Sequence, residues 1–231
     1  MTNDKQEEKY GVLDIEYAEG RKKNKALKYR LRRRTHEVHE SIKTYLGQEP
    51  HSIIDLGTAE GRMLNELHKT YPECRCVGVE YNSDLVGLAK EMHPELEIHQ
   101  GDVQDLSSFN DGEFDVAIAT AVIEHVESPE IFISEISRML RPGGLLIMTA
   151  PDPFWEHIAT MVGHLADEQH HEVPNLKRLR ELAEGGNMKV LLSQKFMLSP
   201  VGMPAEFAVE KLIRAFGLSF MMANQLVVAV R

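Results

Sequence analysis

The chain has 231 residues, of which 42% are hydrophobic and 27% are charged, and its formal net charge is −10. This composition is ordinary for a globular protein, and an acidic body argues against broad nucleic-acid binding. Apolar runs stay well short of the roughly 18 residues that a membrane span needs, and the N-terminus lacks the apolar core of a secretory signal.

The N-terminal region divides by charge. Residues 1–20 carry two basic and six acidic groups, whereas residues 21–34 carry nine basic and no acidic groups. Between residues 23 and 46 the apolar positions are Leu27, Leu31, Val38, Ile42 and Leu46. This spacing predicts one amphipathic helix with its lysines and arginines on the outer face. That basic band is either a solvated surface or an attraction for an anionic acceptor, and RNA is the less favoured partner.

Residues 51–151 alternate between strand and helix patterns. The apolar runs are "HSIIDLG", "CRCVGVE", "LEIHQGD", "FDVAIAT" and "LLIMTAP", with helical patterns between them and "RPGG" as a predicted turn. Ser83 is the expected N-cap of the helix "SDLVGLAKEM". Near-continuous apolar strands that alternate with helices predict a parallel sheet covered on both faces. We therefore predict an N-terminal extension at 1–47 and an α/β domain at 48–231.

The last third changes character. Residues 151–174 form a long connection, which in compact domains is typical of a lid or binding loop. A helix near 175–184, the strand "MKVLLSQKF", a helical insertion at 198–223 and the strand "NQLVVAV" follow. We expect the last two strands to pair antiparallel at the edge of the sheet.

The stretch "SIIDLGTAEGRML" predicts the functional turn. A doubly wound sheet binds ligands at the carboxyl ends of its strands, and Asp55 to Gly61 is the first such end. Gly57 allows a tight turn, and Gly61 lets the next helix pack closely. A dinucleotide site favours a third glycine where this chain has Ala59, and Glu60 adds a carboxylate unsuited to a pyrophosphate. A zwitterionic nucleoside therefore fits better than a diphosphate, although a turn that serves packing alone remains open.

The next strands end in further polar residues. Glu80 lies 19 residues beyond Gly61, where a carboxylate can accept both ribose hydroxyls. Asp102 could accept a hydrogen bond from an adenine amine, and Val103 offers a backbone N–H and an apolar contact. Both features indicate an adenosine-type ligand and do not by themselves distinguish a nicotinamide cofactor from another nucleoside.

Together these motifs resemble a class I S-adenosylmethionine-dependent methyltransferase, closest to the small-molecule group that includes quinone and sterol methylases. The resemblance implies a doubly wound, mostly parallel seven-stranded sheet with its last strand antiparallel, preceded by a helical extension. It also implies the cofactor S-adenosyl-L-methionine, bound by Asp55, Gly57, Thr58, Ala59, Gly61, Glu80, Tyr81, Asp102, Val103, Ala119 and Thr120. The resemblance also implies glycine at the position of Ala59. Because alanine is small, we expect this departure to make the turn less tolerant of the ligand without abolishing cofactor binding.

Two histidines are candidates for a general base, because imidazole titrates near neutral pH. His125 follows the fourth strand, where a packing role is at least equally favoured. His171 lies in the 151–174 connection with His157, His164 and His170, where a polar lid with exposed imidazoles is the simpler interpretation. A metal site would need three or four convergent ligands, and we predict none.

The predicted function is methyl transfer to a small molecule that is anionic or apolar in part. The alternatives are a non-catalytic cofactor-binding scaffold, a nicotinamide oxidoreductase and, less favoured, an RNA methyltransferase. Cys74 and Cys76 are expected to be buried reduced thiols, which favours the cytoplasm. The sequence also leaves open whether the protein forms a homodimer and whether the apolar insertion provides the dimer surface.

Overall fold

The computed structural model describes residue 20 and residues 23–161 and 173–231. Its strands are β1 (Ser52–Leu56), β2 (Arg75–Glu80), β3 (Glu97–Gln100), β4 (Phe114–Thr120), β5 (Leu140–Pro151), β6 (Lys189–Phe196) and β7 (Asn224–Val230). The described strands form one seven-stranded sheet in the order β3-β2-β1-β4-β5-β7-β6. Strand β7 runs antiparallel to β5 and β6, and the other pairings are parallel. The predicted doubly wound sheet with an antiparallel last strand is confirmed.

Helices cover both faces of this sheet. They are α1 (Lys25–Tyr45), α2 (Arg62–Thr70), α3 (Ser83–Met92), α4 (Pro129–Met139), α5 (Pro153–Met161), α6 (Leu176–Gly185) and α7 (Glu206–Ala215). Apolar side chains of α1, α2 and α3 pack on one face, and those of α4 and α6 pack on the other. Successive strand residues point to opposite faces, so strands buried on both sides have the continuous apolar sequences observed.

Helix α1 is a structural part of this core. The Asn24 side chain caps it by accepting a hydrogen bond from the Ala26 N–H at 2.8 Å. Val38 and Ile42, from the predicted apolar stripe, are 0% and 1% exposed and join the core on the face that α2 also covers. The helix therefore occupies a covering position on the sheet, while the domain boundary at residue 47 stays a prediction.

One residue of the basic band contradicts the predicted outer face. Arg33 is 3% exposed, and its Nη2 donates to Glu210 Oε2 of α7 at 2.7 Å. Tyr29 likewise hydrogen-bonds Glu206, and Arg34 Nη2 donates to Asn224 Oδ1 at 3.1 Å. The helical period alone could not show that α7 would place two carboxylates against this side of α1. The contacts with Glu206 and Glu210 hold the C-terminal insertion on the first helix, and the Arg34 contact joins that helix to the start of β7.

Two local predictions are wrong. The expected turn "RPGG" lies within β5, whose pairing with β4 jumps from Phe114–Leu140 to Val116–Leu145. Three extra residues of β5 interrupt the ladder there, and Gly143 among them adopts a φ of +82°, which other residues rarely take. The N-cap of α3 is Asn82 rather than Ser83, since the Asn82 Oδ1 accepts from the Asp84 N–H at 2.9 Å.

The strand order reverses between β1 and β4, so their carboxyl ends flank the crevice where doubly wound sheets bind ligands. Helix α5 follows β5 at the same edge. Strand β6 runs in the same direction as β5, and β7 runs in the opposite direction. The segment that connects β6 to β7 therefore also lies beyond that edge. Trp155 Nε1 of α5 donates to the Phe220 carbonyl at 2.9 Å, which joins the two segments. Among the described residues, no helix is long and apolar enough to cross a membrane.

Candidate cofactor site

The first turn leaves β1 and folds over the end of β2. The N–H groups of Gly57 and Thr58 both donate to the Val79 carbonyl, at 2.9 and 3.1 Å. Gly57 has a φ of +74°, and a Cβ there would lie 2.6 Å from Val122 Cγ2. Glycine is required twice at this position, for its left-handed backbone and for the close approach of the segment after β4.

Asp55 is held beneath this turn. Its side chain is 3% exposed, and its Oδ2 accepts a hydrogen bond from the Thr58 hydroxyl at 2.9 Å. Burial of a carboxylate is costly unless hydrogen bonds compensate it. The turn therefore places a buried carboxyl group at the end of β1, as the sequence predicts.

Glu80 connects the ends of β1 and β2. The Glu80 carboxylate is 6% exposed, with Oε2 accepting from the Ala59 N–H and Oε1 from the Asn82 N–H, each at 2.9 Å. Ala59 itself has a φ of +49°, an unusual value for a residue with a side chain. Ala59, where the resemblance predicts glycine, thus adopts the left-handed backbone, and its N–H is bound by Glu80.

Gly61 and Glu60 complete the turn. Gly61 has a φ of +74° and caps α2, and a Cβ there would lie 3.3 Å from His93. Glu60 is fully buried, and its Oε1 accepts from Arg62 Nε at 2.9 Å. This ion pair offsets the Glu60 charge, so the expected repulsion of a pyrophosphate is weaker than the sequence alone indicates.

The third strand end is organised by a residue that the sequence did not single out. Asp102 Oδ1 accepts from the Gln104 N–H at 3.0 Å, and Val103 is partly buried against the core. The Gln104 amide oxygen in turn accepts from the N–H groups of Glu127 and Ser128, at 3.0 and 3.2 Å. Gln104 therefore fixes the loop after β3 to the segment after β4, a contact between loops that carries no local sequence signal.

The remaining candidates differ in burial. Ala119 is fully buried at the end of β4, Thr120 is half-buried, and Tyr81 after β2 is 43% exposed. His125 ends a short 3-10 turn after β4 and is half-buried. The second candidate base, His171, lies outside the described residues, as do His164 and His170. His157 is exposed on α5.

The structure thus brings the predicted residues after β1, β2, β3 and β4 to one edge of the sheet. Two buried carboxylates, Asp55 and Glu80, bracket a turn whose backbone approaches its neighbours too closely for larger side chains. This arrangement fits a ligand that carries hydroxyl and ammonium donors, because carboxylates accept from both.

Comparisons with known proteins agree with this geometry. Residues 54–148 match the family described as a methyltransferase domain. The malonyl-[acyl-carrier protein] O-methyltransferase of Halalkalibacterium halodurans is 27% identical over 115 residues, which cover 47% of this chain and 42% of that protein. The fatty-acid O-methyltransferase of Mycolicibacterium smegmatis is 27% identical over 128 residues, covering 54% of this chain and 46% of that protein.

Solved structures support the fold. An S-adenosylmethionine-dependent methyltransferase from Archaeoglobus fulgidus superposes with a TM-score of 0.67 at 16% identity, covering 94% of this chain and 100% of that chain. The cyclase SpnF superposes with a TM-score of 0.63 at 14% identity, covering 85% of this chain and 81% of that one. One architecture therefore carries different chemistries, and similarity at this level shows the fold alone.

The fold, the turn and the matched family agree with the architecture of a class I S-adenosylmethionine-dependent methyltransferase. Residues 54–148 are similar to a methyltransferase domain, and the resemblance inferred from the motifs is confirmed. The chain spans less than half the length of the two curated methyltransferases above. Their acceptors accordingly describe those proteins.

Proposed function

We propose that this protein transfers the methyl group of S-adenosylmethionine to a small-molecule acceptor. The observation that carries the proposal is the turn between β1 and α2, which Glu80 braces through the Ala59 N–H at 2.9 Å within the matched domain. A turn held by backbone hydrogen bonds and a buried carboxylate is already organised before a ligand enters, which lowers the ordering cost of binding.

The cofactor contacts are assigned to the four strand ends. Asp55, Gly57 and the backbone of Ala119 are assigned to the methionine part, and Glu80 to the ribose hydroxyls. The adenine is assigned to Tyr81, Asp102 and Val103. Thr58, Ala59, Gly61 and Thr120 complete the predicted set. The Glu80 carboxylate has two oxygens with about four lone-pair positions, so the two N–H contacts that it makes do not preclude hydroxyl donors.

The bound cofactor supplies an electrophilic methyl group on sulfonium. The protein then has to orient the acceptor in line with that methyl group and exclude water, and such positioning accounts for much of the rate in two-substrate reactions. An acceptor hydroxyl or ammonium group also has to lose a proton. His125, half-buried just after β4, is the proposed base, and His171 stays a second candidate from the sequence.

Exposed aromatic side chains support an acceptor that is partly apolar. Phe154 on α5 and Phe220 in the insertion are 57% and 58% exposed, and both belong to segments that lie beyond the ligand-binding edge of the sheet. Phe154 packs edge-to-face on Trp155 with ring centroids 5.5 Å apart. Aromatic groups that meet beside a binding crevice are typical linings for apolar ligands. The chemistry of the M. smegmatis relative, named a fatty-acid O-methyltransferase, is compatible with such a surface.

Two measurements test the proposal. Calorimetry should show binding of S-adenosylhomocysteine and none of NAD, and a panel of long-chain and short carboxylates, thiols and amines should yield a methylated product. Cofactor binding without product from any acceptor would favour the non-catalytic scaffold. Binding of NAD alone would favour the oxidoreductase. If RNA added to the panel were the only acceptor methylated, an RNA methyltransferase would be favoured instead.

His125→Ala separates catalysis from packing. If His125 is the base, kcat should fall while the KM values and S-adenosylhomocysteine affinity stay near those of the parent protein. An equal loss of kcat and thermal stability would instead indicate the packing role.

The two cysteines and the apolar surface of the insertion bear on compartment and assembly. Cys74 and Cys76 are buried and unbridged, which supports the reducing cytoplasm. The exposed apolar residues of the insertion leave homodimerisation open, and light scattering of the purified chain measures it directly.

A further inference from the structure

A groove of about 820 Å³ lies between helices α1 and α2. Its charged lining consists of Lys28 and Arg32 from α1 and Arg62, Glu66 and Lys69 from α2. We call this the basic groove. It lies outside the predicted set of cofactor-binding residues, and the basic band of the sequence accounts for one of its walls.

The charge of the basic groove is opposite to that of the whole chain. Four permanent cations and one carboxylate line it, whereas the protein carries a net charge of −10. Local excess charge of one sign in a groove focuses the field and attracts ions of the other sign. The groove is therefore a place where an anion would be attracted despite the negative net charge of the chain.

The cations on the α1 wall are available for a ligand. Glu66 is engaged by Lys69 at 2.9 Å, and Arg62 pairs with Glu60 at 2.9 Å. Within the described part of the chain, Lys28 and Arg32 make no ion pair, and both side chains are exposed. Arg32 stacks over the Tyr29 ring, with its Cζ 5.5 Å from the ring centroid, which helps to orient its guanidinium.

We propose that the basic groove binds a small ligand that bears a phosphate group. Guanidinium groups present paired N–H donors that match phosphate oxygens, and an ammonium group adds a point charge. His36 and His39, also in the lining, add donors from the same helix. The volume exceeds that of a single phosphate ion, and the lining also includes the apolar side chains Leu31 and Leu67. Those features fit a phosphate ester or a diphosphate with an organic part.

Titration of the full chain with pyrophosphate tests this site. Calorimetry in phosphate-free buffer at low salt compares the parent protein with Lys28→Gln/Arg32→Gln. We expect the double variant to bind at least about tenfold more weakly, since it removes both cations of the α1 wall that could donate charge-assisted hydrogen bonds to the phosphate. The matched control is Lys177→Gln/Arg180→Gln on α6, which removes the same charge from exposed helical positions. The control should bind within about twofold of the parent protein.

Further arms distinguish the alternatives. Lys28→Arg/Arg32→Lys should keep pyrophosphate binding, and unaltered thermal unfolding should show that each variant is folded. Equal loss in the α6 control, or no pyrophosphate binding at millimolar concentration, would overturn the proposal. Binding of a single-stranded RNA without binding of pyrophosphate would overturn it in favour of a nucleic acid. S-adenosylhomocysteine titrations on the same variants should be unchanged, so failure here is separable from failure of the proposed methyl transfer.

Discussion

Replacing Arg33 with methionine should release the C-terminal insertion from helix α1. The Arg33 and Glu210 side chains are 3% and 0% exposed, and Nη2 lies 2.7 Å from Oε2. Arg33 also pairs with Glu37 one turn along α1. Methionine keeps an unbranched apolar stem and removes the charge, so the main consequence is a buried carboxylate without its principal cation.

The size of the loss follows from what Glu210 retains. Removing one partner of a buried ion pair costs about 3–5 kcal/mol. Glu210 keeps the Met197 N–H at 2.8 Å and Arg214 Nη1 at 3.5 Å, which offset part of that cost. We therefore expect the free energy of unfolding to fall by about 3 kcal/mol, near the lower end of that range.

Urea unfolding measures this loss with two probes. Circular dichroism follows the whole fold, and Trp155, the single tryptophan, reports on the insertion through its hydrogen bond to the Phe220 carbonyl. The matched control Arg32→Met changes an exposed neighbour and should alter the free energy of unfolding by about 0.5 kcal/mol at most. If the insertion is released first, the fluorescence transition should precede the circular dichroism transition.

A second substitution and a change of pH complete the test. Glu210→Leu added to Arg33→Met should restore stability, because it removes the uncompensated charge. Burial raises the pKa of Glu210 above its ordinary 4.5. Its ionisation therefore opposes folding as pH rises from the unfolded pKa towards the folded pKa, and the defect of Arg33→Met should shrink in acid. A loss below about 1 kcal/mol, or strictly additive effects of the two substitutions, would refute the reasoning.

Three further predictions concern the turn and the sheet. Glu80→Ala should weaken S-adenosylhomocysteine binding about tenfold or more by calorimetry, and unchanged affinity would contradict its proposed role. Gly57→Ala should lower the free energy of unfolding by more than about 1–2 kcal/mol, from left-handed strain and the contact with Val122. Adding Val122→Ala to Gly57→Ala should relieve the contact but not the backbone strain. If the losses of the two single variants were fully additive in the double variant, the clash would be ruled out. Arg75 hydrogen bonds lower the pKa of Glu97 from 4.5 to about 2, so that carboxylate adds stability that disappears as pH falls through this interval. Glu97→Gln should therefore flatten the acid dependence of thermal unfolding, and an unchanged slope would count against it.

The order of the elements was predictable because buried positions recur with the period of the helix or strand that contains them. Strands β1, β2 and β4 are covered on both faces, so most of their residues are apolar, whereas the edge strand β3 (EIHQ) is half polar. Helices and strands differ in period, and the glycines of the turn after β1 mark backbone that other residues rarely adopt. The four clusters at the strand ends were predictable for the same reason, since parallel strands bring their carboxyl ends to one edge.

The sequence by itself determined the strand–helix alternation, the turn from Asp55 to Gly61 and the edge of the sheet that should hold the cofactor. Only the tertiary structure decided that Arg33 turns inward to Glu210 and that Gln104 joins two loops. The physical reason is that periodicity reports how far a residue is buried. Its partner depends on chain segments distant in sequence, and those meet only when the whole sheet has assembled.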